Sequence, residues 1–502
     1  MPWYRTRFFG RLITGLFPPL GLWLLWQHPG LSRRQKTVGT ILAALYGLPY
    51  TALVIWVLTL IGLVSLEFRG GFGPSLVRKK TLPNYYLLDS DRADQKNRAA
   101  VPSAGPGLET PYWTDFRGPH RDGIYDEQSI LTNWPARGPR LLWRQPIGGG
   151  YASFVVAGGR VFTIEQRRED EAVTAYDLET GQELWAYAYR ASFSEWMGGD
   201  GPRATPLYHQ GLVFSLGALG DLCCLGAANG KVLWQKNILA DNASANLKYG
   251  MATSPLVADE KLIVLAGQET QGKSVVAYHR LTADRIWSVL NDRQAYTTPM
   301  LVTLADRRQV LAVSASRAMG LAPEDGKLLW DYPWQVQYGN AISMPVLVAT
   351  NRFFLSDGYG AGCVLIEVAR TNGAFVAREV WRNRNMKNKF NASVFWQGNL
   401  YGLDEGVLTC LDARTGERRW RDGSYGYGQM LLASGHLIIL TGDGELALVR
   451  ATPERRQEVA HARGLSGKTW NVPALRQGRM LVRNATAMAC FDLRPPRPRP
   501  PR

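Results

Sequence analysis

Short apolar runs separated by Gly, Asp or Asn recur along most of the chain after residue 113. Examples are residues 206–217 (PLYHQGLVFSLG), 254–267 (SPLVADEKLIVLAG) and 393–404 (SVFWQGNLYGLD). Runs of four to six residues with turn residues between them are typical of β-strands joined by hairpins. A phrase that ends in Trp follows these runs in most of the repeating units. The pattern therefore predicts about four strands per repeating unit.

The phrase is clearest at residues 175–185 (AYDLETGQELW) and 410–420 (CLDARTGERRW), with variants at 224–234, 277–287 and 320–330. Its Asp ends a strand, and Thr-Gly forms a tight turn in which Gly supplies a positive φ. Its Trp ends the return strand and offers a large apolar face to the neighbouring unit. A looser copy precedes residue 381, and an isolated Trp stands in RLLWRQ. The docking tryptophans are spaced by 39 to 53 residues, a period that indicates stacked repeats: Trp143, Trp185, Trp234, Trp287, Trp330, Trp381 and Trp420.

The two ends of the repeat region set the number of units. A degenerate eighth copy of the phrase covers residues 447–459. Residues 471–493 then supply three strands of a blade without a fourth. The strand that carries Trp143 is the natural fourth, because a unit closed by both ends of the domain leaves no exposed sheet edge. We predict an all-β fold, an eight-bladed β-propeller of four-stranded blades with tryptophan-docking repeats, with seven blades as the alternative.

The phrase A-x-D-x-x-T-G-x-x-x-W resembles the tryptophan-docking repeat of pyrroloquinoline-quinone (PQQ)-like propellers. The resemblance covers residues 113–493, and residues 113–123 (WTDFRGPHRDG) resemble the lead-in of bacterial members. It implies one of two kinds of function. One is that of the quinone-dependent alcohol and sugar dehydrogenases. The other is that of non-catalytic propellers such as the lipoprotein of the outer-membrane β-barrel assembly machine, and fold alone does not choose between them.

An apolar segment without charges, residues 38–66, precedes the propeller. A bilayer core needs about 20 apolar residues, so this segment predicts a transmembrane helix, with Pro49 at a kink or at its start. The absence of a convincing cleavage motif favours an uncleaved anchor. Residues 12–26 are short and contain Pro18-Pro19, which favours an in-plane or re-entrant segment over a second span. The flanking basic residues favour a cytoplasmic N-terminus, and hence a bacterial inner-membrane protein whose propeller faces the periplasm or exterior. A second span would reverse this orientation.

Charge is concentrated outside the propeller. The net charge is +16, but residues 1–82 hold ten Lys or Arg against one Glu, and residues 494–502 hold four Arg. This distribution gives no support to nucleic-acid binding by the propeller. We predict a basic, amphipathic N-terminal segment (1–37), a transmembrane helix (38–66), a flexible linker (67–111), the propeller (112–493) and a disordered Pro/Arg tail (494–502).

The five cysteines do not suggest redox chemistry. Three of them, Cys224, Cys410 and Cys490, fall at the repeat position that Ala175 and Ala277 occupy in other units. We predict that they fill small buried positions. The dehydrogenase resemblance implies a vicinal disulfide over the cofactor, for which Cys223 and Cys224 are the candidates, but the repeat alignment favours the packing role. The sequence has no CxxCH motif for a c-type haem.

The segments that lead into the innermost strands border the central funnel of a propeller. Here they cover residues 148–153, 199–206, 246–255, 293–299, 336–345, 385–393, 423–429 and 466–473. We call them the funnel segments. Each brings an aromatic, amide or cationic side chain, and the candidate ligand-binding residues are Tyr151, Arg203, Lys248, Tyr249, Tyr296, Asn340, Lys387, Lys389, Asn391, Tyr427, Lys468, Trp470 and Asn471. We hypothesise a cationic, aromatic-lined funnel for a flat or anionic ligand such as PQQ, an acidic peptide or a glycan. The alternative is that these loops are only a solvated rim.

Carboxylates are scarce in the funnel segments, where Asp200 is the one example. The dehydrogenases that the repeat resembles use a Ca²⁺ site rich in carboxylates and a base Asp, whereas Asp115, Asp122 and Asp357 have no recognisable ligand spacing. The sequence predicts no catalytic residue and no metal ligand. It favours a membrane-anchored, exocytoplasmic binding or scaffold module, whose partners are the membrane, other envelope proteins or a planar or anionic small ligand. The alternative is a PQQ-dependent oxidoreductase with Ca²⁺ that passes electrons to the membrane.

Overall fold

The structure, a computed structural model, describes residues 18–71, 73–97, 110–267 and 273–496. The chain divides into two compact units. The first comprises residues 1–68 and 72–80, and the second comprises residues 69–71 and 81–502. The first part of the predicted in-plane segment, residues 12–17, and most of the predicted tail, residues 497–502, lie outside the described residues.

The described part of the first unit contains two helices, α1 (Pro18–Gln27) and α2 (Arg33–Leu60). Helix α2 is long and apolar enough to cross a membrane, and Pro49 lies inside it. It begins before the predicted residue 38 because Ser32 and Gln35 form a capping box, in which each side chain accepts a hydrogen bond from the other's backbone N–H. Strands β1 (Ser65–Phe68) and β2 (Pro74–Val77) form an antiparallel hairpin after the helix. The hairpin occupies the last residues of the predicted span.

A third helix, α3 (Tyr85–Asn97), lies in the segment that we expected to be a flexible linker. The helix is ordered because one face carries Leu88, Arg92 and Gln95, which are buried at helical spacing. The Nε of Arg92 donates to Glu183 at 2.9 Å, and the backbone N–H of Glu183 donates to Gln95 at 2.8 Å. Helix α3 therefore packs on the propeller. Residues 98–109 of the expected linker lie outside the described residues.

The second unit is an eight-bladed propeller, as predicted. Each blade is a four-stranded antiparallel sheet. From the innermost to the outermost strand, the blades are Val155–Ala157, Arg160–Arg167, Asp170–Asp177, Glu183–Arg190 (blade 1); Leu207–His209, Leu212–Leu216, Asp221–Gly226, Val232–Asn237 (blade 2); Leu256–Ala258, Lys261–Leu265, Val275–His279, Arg285–Val289 (blade 3); Met300–Leu304, Arg307–Val313, Arg317–Leu321, Leu328–Pro333 (blade 4); Val346–Ala349, Arg352–Asp357, Gly362–Thr371, Ala374–Asn383 (blade 5); Val394–Trp396, Asn399–Asp404, Val407–Asp412, Arg418–Ser424 (blade 6); Gln429–Ala433, His436–Leu440, Glu445–Arg450, Gln457–Arg463 (blade 7); and Ala474–Arg476, Arg479–Arg483, Ala487–Asp492, Arg140–Pro146 (blade 8). Two further elements are a strand, Ile124–Tyr125, beside blade 7 and a short helix, Ile238–Asp241, after blade 2.

Blade 8 is closed by strands from both ends of the propeller, as predicted. Its outermost strand, Arg140–Pro146, precedes blade 1 in the chain and pairs antiparallel with Ala487–Asp492, with Trp143 opposite Cys490. The innermost strands of blades 8 and 1 are in contact, which completes the ring. Closure of the ring by strand pairing protects the sheet edges that an open array would expose.

The docking tryptophans join successive blades. In six of the seven, the indole N–H donates to a backbone carbonyl in the turn of the next blade, with these pairs: Trp143–Leu178 at 2.9 Å, Trp185–Ala227 at 3.1 Å, Trp234–Arg280 at 3.1 Å, Trp287–Pro323 at 3.3 Å, Trp381–Ala413 at 3.1 Å and Trp420–Thr452 at 2.9 Å. In four of these six pairs the indole also lies against a glycine of that turn: Trp143 against Gly181, Trp185 against Gly230, Trp287 against Gly326 and Trp381 against Gly416. A Cβ on Gly416 would stand 2.6 Å from the Trp381 ring, so this glycine is required for the close approach as well as for its φ of 75°.

Trp330 departs from this pattern. Its indole N–H donates to the side-chain oxygen of Gln309 in its own blade at 2.6 Å, and its ring lies against Phe353 of blade 5 with the centroids 5.6 Å apart. This orientation requires a glycine opposite, because a Cβ on Gly320 would lie 2.3 Å from the indole nitrogen. The same position holds Ala or Cys in most other blades, and the five cysteines are free and buried.

The Gly416–Trp381 contact can be tested against a matched glycine. Gly398 has a similar φ of 78° but nothing within 4 Å of its Cβ position. Both Gly416→Ala and Gly398→Ala incur the cost of a positive φ, whereas only the first forces a methyl group into the docked indole. We expect Gly416→Ala to reduce the free energy of unfolding by about 2 kcal/mol more than Gly398→Ala, measured by urea denaturation. Equal losses would show that the indole contact does not stabilise the blade interface.

Candidate functional site

A plug, residues 113–125, lies along the innermost strands of the propeller. The backbone N–H groups of Val156, Tyr208 and Leu432 donate to carbonyls of the plug at 2.7 to 2.9 Å, so blades 1, 2 and 7 are tied to it. Trp113 of the plug is fully buried. The segment that resembles a family lead-in therefore fills the centre of the ring with backbone that is bonded to several blades.

Two buried arginines of the plug contact the ends of three funnel segments and the innermost strand of blade 7. Arg121 donates to the carbonyls of Pro255 at 2.5 Å and Pro299 at 2.7 Å, and Arg117 donates to those of Ser393 at 3.2 Å and Met430 at 3.3 Å. Burial lowers the pKa of Arg117 to about 10, which still leaves it charged at neutral pH. The guanidinium groups thus lie directly beneath the funnel segments and form the floor of the funnel.

Three aromatic rings stack across one side of the funnel. The Trp470 ring lies 5.5 Å from Tyr151 and is stacked on Phe390 at 4.7 Å between centroids. The Nζ of Lys468 lies 4.1 Å from the centroid of Trp470, within the range of a cation–π interaction. Gln429 supports this stack by donating to the carbonyls of Phe390 and Trp470. Funnel segments of blades 1, 6, 7 and 8 therefore meet here.

A second cation lies among rings beside that stack. The Nζ of Lys389 is 5.1 Å from the centroid of Tyr427 and 4.7 Å from that of Tyr359. Burial lowers the pKa of Lys389, an effect that Glu405 partly opposes. Burial also raises the pKa of Tyr359, whereas a hydrogen bond with Asn340 lowers it. Both groups therefore occupy a partly desolvated surface in which charge interactions are stronger than in water.

The far side of the funnel repeats the pairing of rings and cations. Tyr249 and Tyr296 have centroids 5.8 Å apart, and Lys248 lies 5.3 Å from the Tyr249 ring. Burial raises the pKa of Tyr296 to about 12, so its hydroxyl stays protonated. Arg203 lies 5.7 Å from the Tyr151 ring and donates to backbone carbonyls of residues 199 and 201.

Three aromatic residues of the site have backbone angles that bulky side chains rarely adopt. The φ angles are 64° at Tyr338, 53° at Tyr359 and 64° at Phe390. A non-glycine residue in this left-handed region costs of order 1–3 kcal/mol and persists only where the surrounding structure imposes it. Eighteen non-glycine residues in the described part of the chain have a positive φ, and the three aromatic ones among them all belong to this group of rings.

Three of the predicted binding residues make other contacts. Lys387 donates to Glu405 at 2.8 Å, Asn391 accepts a hydrogen bond from Asn388 at 2.8 Å, and Asn471 donates to the carbonyl of Ala152 at 2.8 Å. Asn391 and Asn471 hold the backbone of the funnel segments in place. The structure brings ten of the thirteen candidates into contacts with aromatic rings, with their cations or with each other: Tyr151, Arg203, Lys248, Tyr249, Tyr296, Asn340, Lys389, Tyr427, Lys468 and Trp470.

Sequence reasoning did not name Phe390, Tyr359 or residues 193–198. Phe390 is within a funnel segment, and its position next to Lys389 was a usable signal. Tyr359 comes from the turn between the second and third strands of blade 5, and residues 193–201 from a loop whose first part precedes the blade 2 funnel segment. In that loop the carbonyl of Gly198 accepts a hydrogen bond from Lys468 at 3.2 Å.

The carboxylates named as possible Ca²⁺ ligands have other roles. Asp115 pairs with Arg121 at 2.8 Å, Asp200 accepts from Ser194 at 2.6 Å, and burial raises the pKa of Asp122. Within the described part of the chain, no group of three or more His, Cys, Asp or Glu is placed to hold a metal ion. The donor set of the funnel fits a planar anion, but it does not fit Ca²⁺.

A family model that matches the repeats identifies the family of the chain. The family model PQQ_2, described as outer membrane protein assembly factor BamB, matches residues 125–194 and 169–422, more than half of the chain. The chain belongs to this PQQ-like propeller family. No curated protein matches its sequence.

Solved PQQ-like propellers share the fold. BamB from Moraxella catarrhalis is 14% identical with a TM-score of 0.52, over 70% of this chain and 97% of its own. A quinohemoprotein alcohol dehydrogenase from Comamonas testosteroni is 14% identical with a TM-score of 0.58, over 83% of this chain and 86% of its own. A europium-containing methanol dehydrogenase is also 14% identical, with a TM-score of 0.52, over 75% and 90% of the two chains. At this identity the likeness concerns the fold alone.

Asp357 holds the backbone at the blade 5 side of the funnel. It accepts hydrogen bonds from the Trp334 indole at 2.9 Å and from the backbone N–H groups of Ile342 at 2.9 Å and Ser343 at 3.1 Å. Burial raises the pKa of its carboxyl to about 7, against the lowering effect of these three donors. The group therefore keeps its proton in the folded state at a pH where the unfolded chain, with a pKa of 3.8, has lost it.

This difference predicts a pH dependence of stability. Between about pH 4 and pH 7 the folded state binds more protons at Asp357, so its contribution to stability falls as the pH rises and is constant above pH 7. We expect the free energy of unfolding, measured by urea denaturation between about pH 4 and pH 7, to fall less steeply with rising pH in Asp357→Asn than in wild type. The variant also loses the Trp334 hydrogen bond at every pH, because its amide presents a donor to the indole N–H. If the free energy of unfolding changed equally with pH in wild type and variant, the protonated state of buried Asp357 would be contradicted.

Proposed function

We propose that this protein is a membrane-anchored, exocytoplasmic PQQ-like propeller that acts as a binding or scaffold module, with the funnel as its ligand site. The observation that carries the proposal is the concentration of cations over aromatic rings at one end of the propeller. Arg203, Lys248, Lys389 and Lys468 each lie within 6 Å of a ring centroid. Rings and carbonyls are neutral, so these particular contacts do not cancel the charges of the cations, which Glu405 opposes at Lys389 and Glu195 and Asp200 oppose at Arg203.

This chemistry suits a planar anion or an acidic segment of a partner protein. A flat ring system can stack on Trp470 while its carboxylates accept charge-assisted hydrogen bonds from lysines at the edge. Acidic and aromatic side chains of a peptide use the same two interactions. The family description, an outer membrane protein assembly factor, supports an envelope protein as the partner.

A PQQ-dependent oxidoreductase is the second candidate. The likeness to alcohol and methanol dehydrogenases and the fit of a planar tricarboxylate to the funnel favour it. Lys468, Lys389 and Trp470 would hold PQQ, which supplies a two-electron redox centre when bound. The scarcity of carboxylates in the funnel, which would be needed for Ca²⁺ and for a base, favours the binding module instead.

Calorimetric titration of PQQ into the full chain in a neutral detergent, with and without Ca²⁺, separates the two candidates. The binding module predicts PQQ binding that does not depend on Ca²⁺. The combined Lys248→Ala and Lys468→Ala variant should bind at least about tenfold more weakly, because each lost charged hydrogen bond is worth about 1.5–3 kcal/mol. The combined Lys231→Ala and Lys327→Ala variant removes the same charge from exposed turns of blades 2 and 4 and should bind like wild type. Tight binding that requires Ca²⁺ would favour the oxidoreductase, and unchanged binding by the funnel variant would contradict the site.

The exocytoplasmic orientation is a separate proposal. It rests on helix α2 and on the basic residues that precede it. Protease added to spheroplasts is expected to degrade the propeller, whereas a cytoplasmic control protein stays intact. Protection of the propeller until the membrane is permeabilised would contradict the orientation.

A further inference from the structure

A short stretch of the chain that precedes the propeller lies in the funnel. The strap, residues 69–71, belongs to the same compact unit as the propeller. The carbonyl of Gly70 accepts a hydrogen bond from the Nζ of Lys389 at 2.5 Å, and Arg69 forms an ion pair with Asp443. The Gly70 carbonyl thus accepts a hydrogen bond from Lys389, one of the cations to which the proposed function assigns ligand binding.

Gly70 also fills the space between two of the funnel's rings. A Cβ on this residue would stand 2.5 Å from the Cδ2 of Tyr427 and 3.1 Å from the Cε2 of Phe390. Its φ is 94°, an angle that glycine adopts without steric cost. Backbone without a side chain therefore packs against the faces and edges on which a flat ligand would stack.

The chain touches the funnel again at Thr81. The backbone N–H of Lys468 donates to the Thr81 hydroxyl at 2.7 Å, and a Cβ on Gly467 would stand 2.3 Å from that oxygen. The two contacts lie at the funnel segments of blades 6 to 8, beside Lys389 and Lys468. These are the same lysines and rings to which the proposed function assigns ligand binding.

We propose that the strap is an intramolecular occupant of the funnel, and that it must leave the Lys389–Phe390–Tyr427 corner before a planar anionic ligand can bind there. The proposal rests on the proposed function for the identity of the ligand, but docking of the strap does not depend on it. The strap supplies one neutral carbonyl to Lys389. An anionic ligand supplies a charged acceptor and a stacking surface, so it competes favourably for the same corner.

The test compares two neighbouring glycines in the full chain. Gly70→Val places a branched side chain against Tyr427 and Phe390 and should expel the strap. Gly71→Val is the matched control, because a Cβ at that position meets nothing within 4 Å. Asp443→Asn is a second release variant, which weakens the ion pair of Arg69 and leaves the sequence of the strap unchanged.

Trypsin cleavage after Arg69, followed by mass spectrometry, reports docking of the strap. We expect slow cleavage in wild type and Gly71→Val, and cleavage at least about tenfold faster in Asp443→Asn and Gly70→Val. Association of hydroxypyrene trisulfonate, a fluorescent planar anion, reports access to the funnel. Its association rate should rise at least about tenfold in Gly70→Val and stay at the wild-type value in Gly71→Val.

Each outcome bears on the proposal. Equal cleavage rates in all four proteins would overturn docking of the strap. Faster cleavage in the release variants with an unchanged association rate would overturn its role in access and leave the ligand site standing. Absence of probe binding to every protein, including Gly70→Val, would overturn the funnel's proposed function, and the role of the strap with it.

Discussion

Two buried guanidinium groups donate to the carbonyls that end three funnel segments and to one carbonyl of the innermost strand of blade 7. Arg117 and Arg121 each bind carbonyls from two blades. Burying a carbonyl without a hydrogen-bond donor costs free energy, and burying a cation without acceptors costs more. The hydrogen bonds between them reduce both costs. This exchange fixes the plug in the propeller, and the fixed plug forms the floor beneath the funnel segments.

The funnel depends on that floor for its chemistry. Lys389 and Phe390 come from a funnel segment whose last residue, Ser393, the plug binds, and Phe390 keeps a strained backbone angle there. Aromatic faces reduce the local dielectric constant around Lys389 and Lys468 without neutralising them. Rings and cations therefore share one surface, to which our proposal assigns a planar or acidic ligand. The strap contacts the same surface through a glycine, whose lack of a side chain lets it fit between the rings.

The repeating parts of this fold could be predicted from the sequence, because they are local. The Asp, Thr-Gly and Trp of each phrase specify a turn and a docking face within eleven residues, and the unpaired strands at the two ends imply the closure of blade 8. Helix α3 was not predicted, because its buried Arg92 and Gln95 depend on a partner in the propeller, Glu183, that is distant in the sequence. Trp330 was predicted to dock like the others, but Gln309 competes for its indole N–H, and a single-sequence pattern does not reveal such a competitor.

The cluster of rings and cations could be predicted in outline, because the segments that carry it are also marked by local sequence signals. The position of the funnel segments follows from the blade pattern, which is why cations such as Lys468 and rings such as Trp470 could be named. Tyr359 could not be found this way, because it comes from the turn between the second and third strands of blade 5 and not from a funnel segment. Lys387 was named as a ligand-binding residue, but it has a carboxylate neighbour, Glu405, that lies eighteen residues away in the chain and beside it in the fold.

The most direct test of the central claim is the location of a bound planar anion in an experimental structure of the full chain. We predict that hydroxypyrene trisulfonate lies in the funnel, with its ring system stacked on Trp470 and its sulfonates beside Lys468 and Lys389. Density on the outer face of the blades or along the basic residues near helix α2, with none in the funnel, would contradict the account.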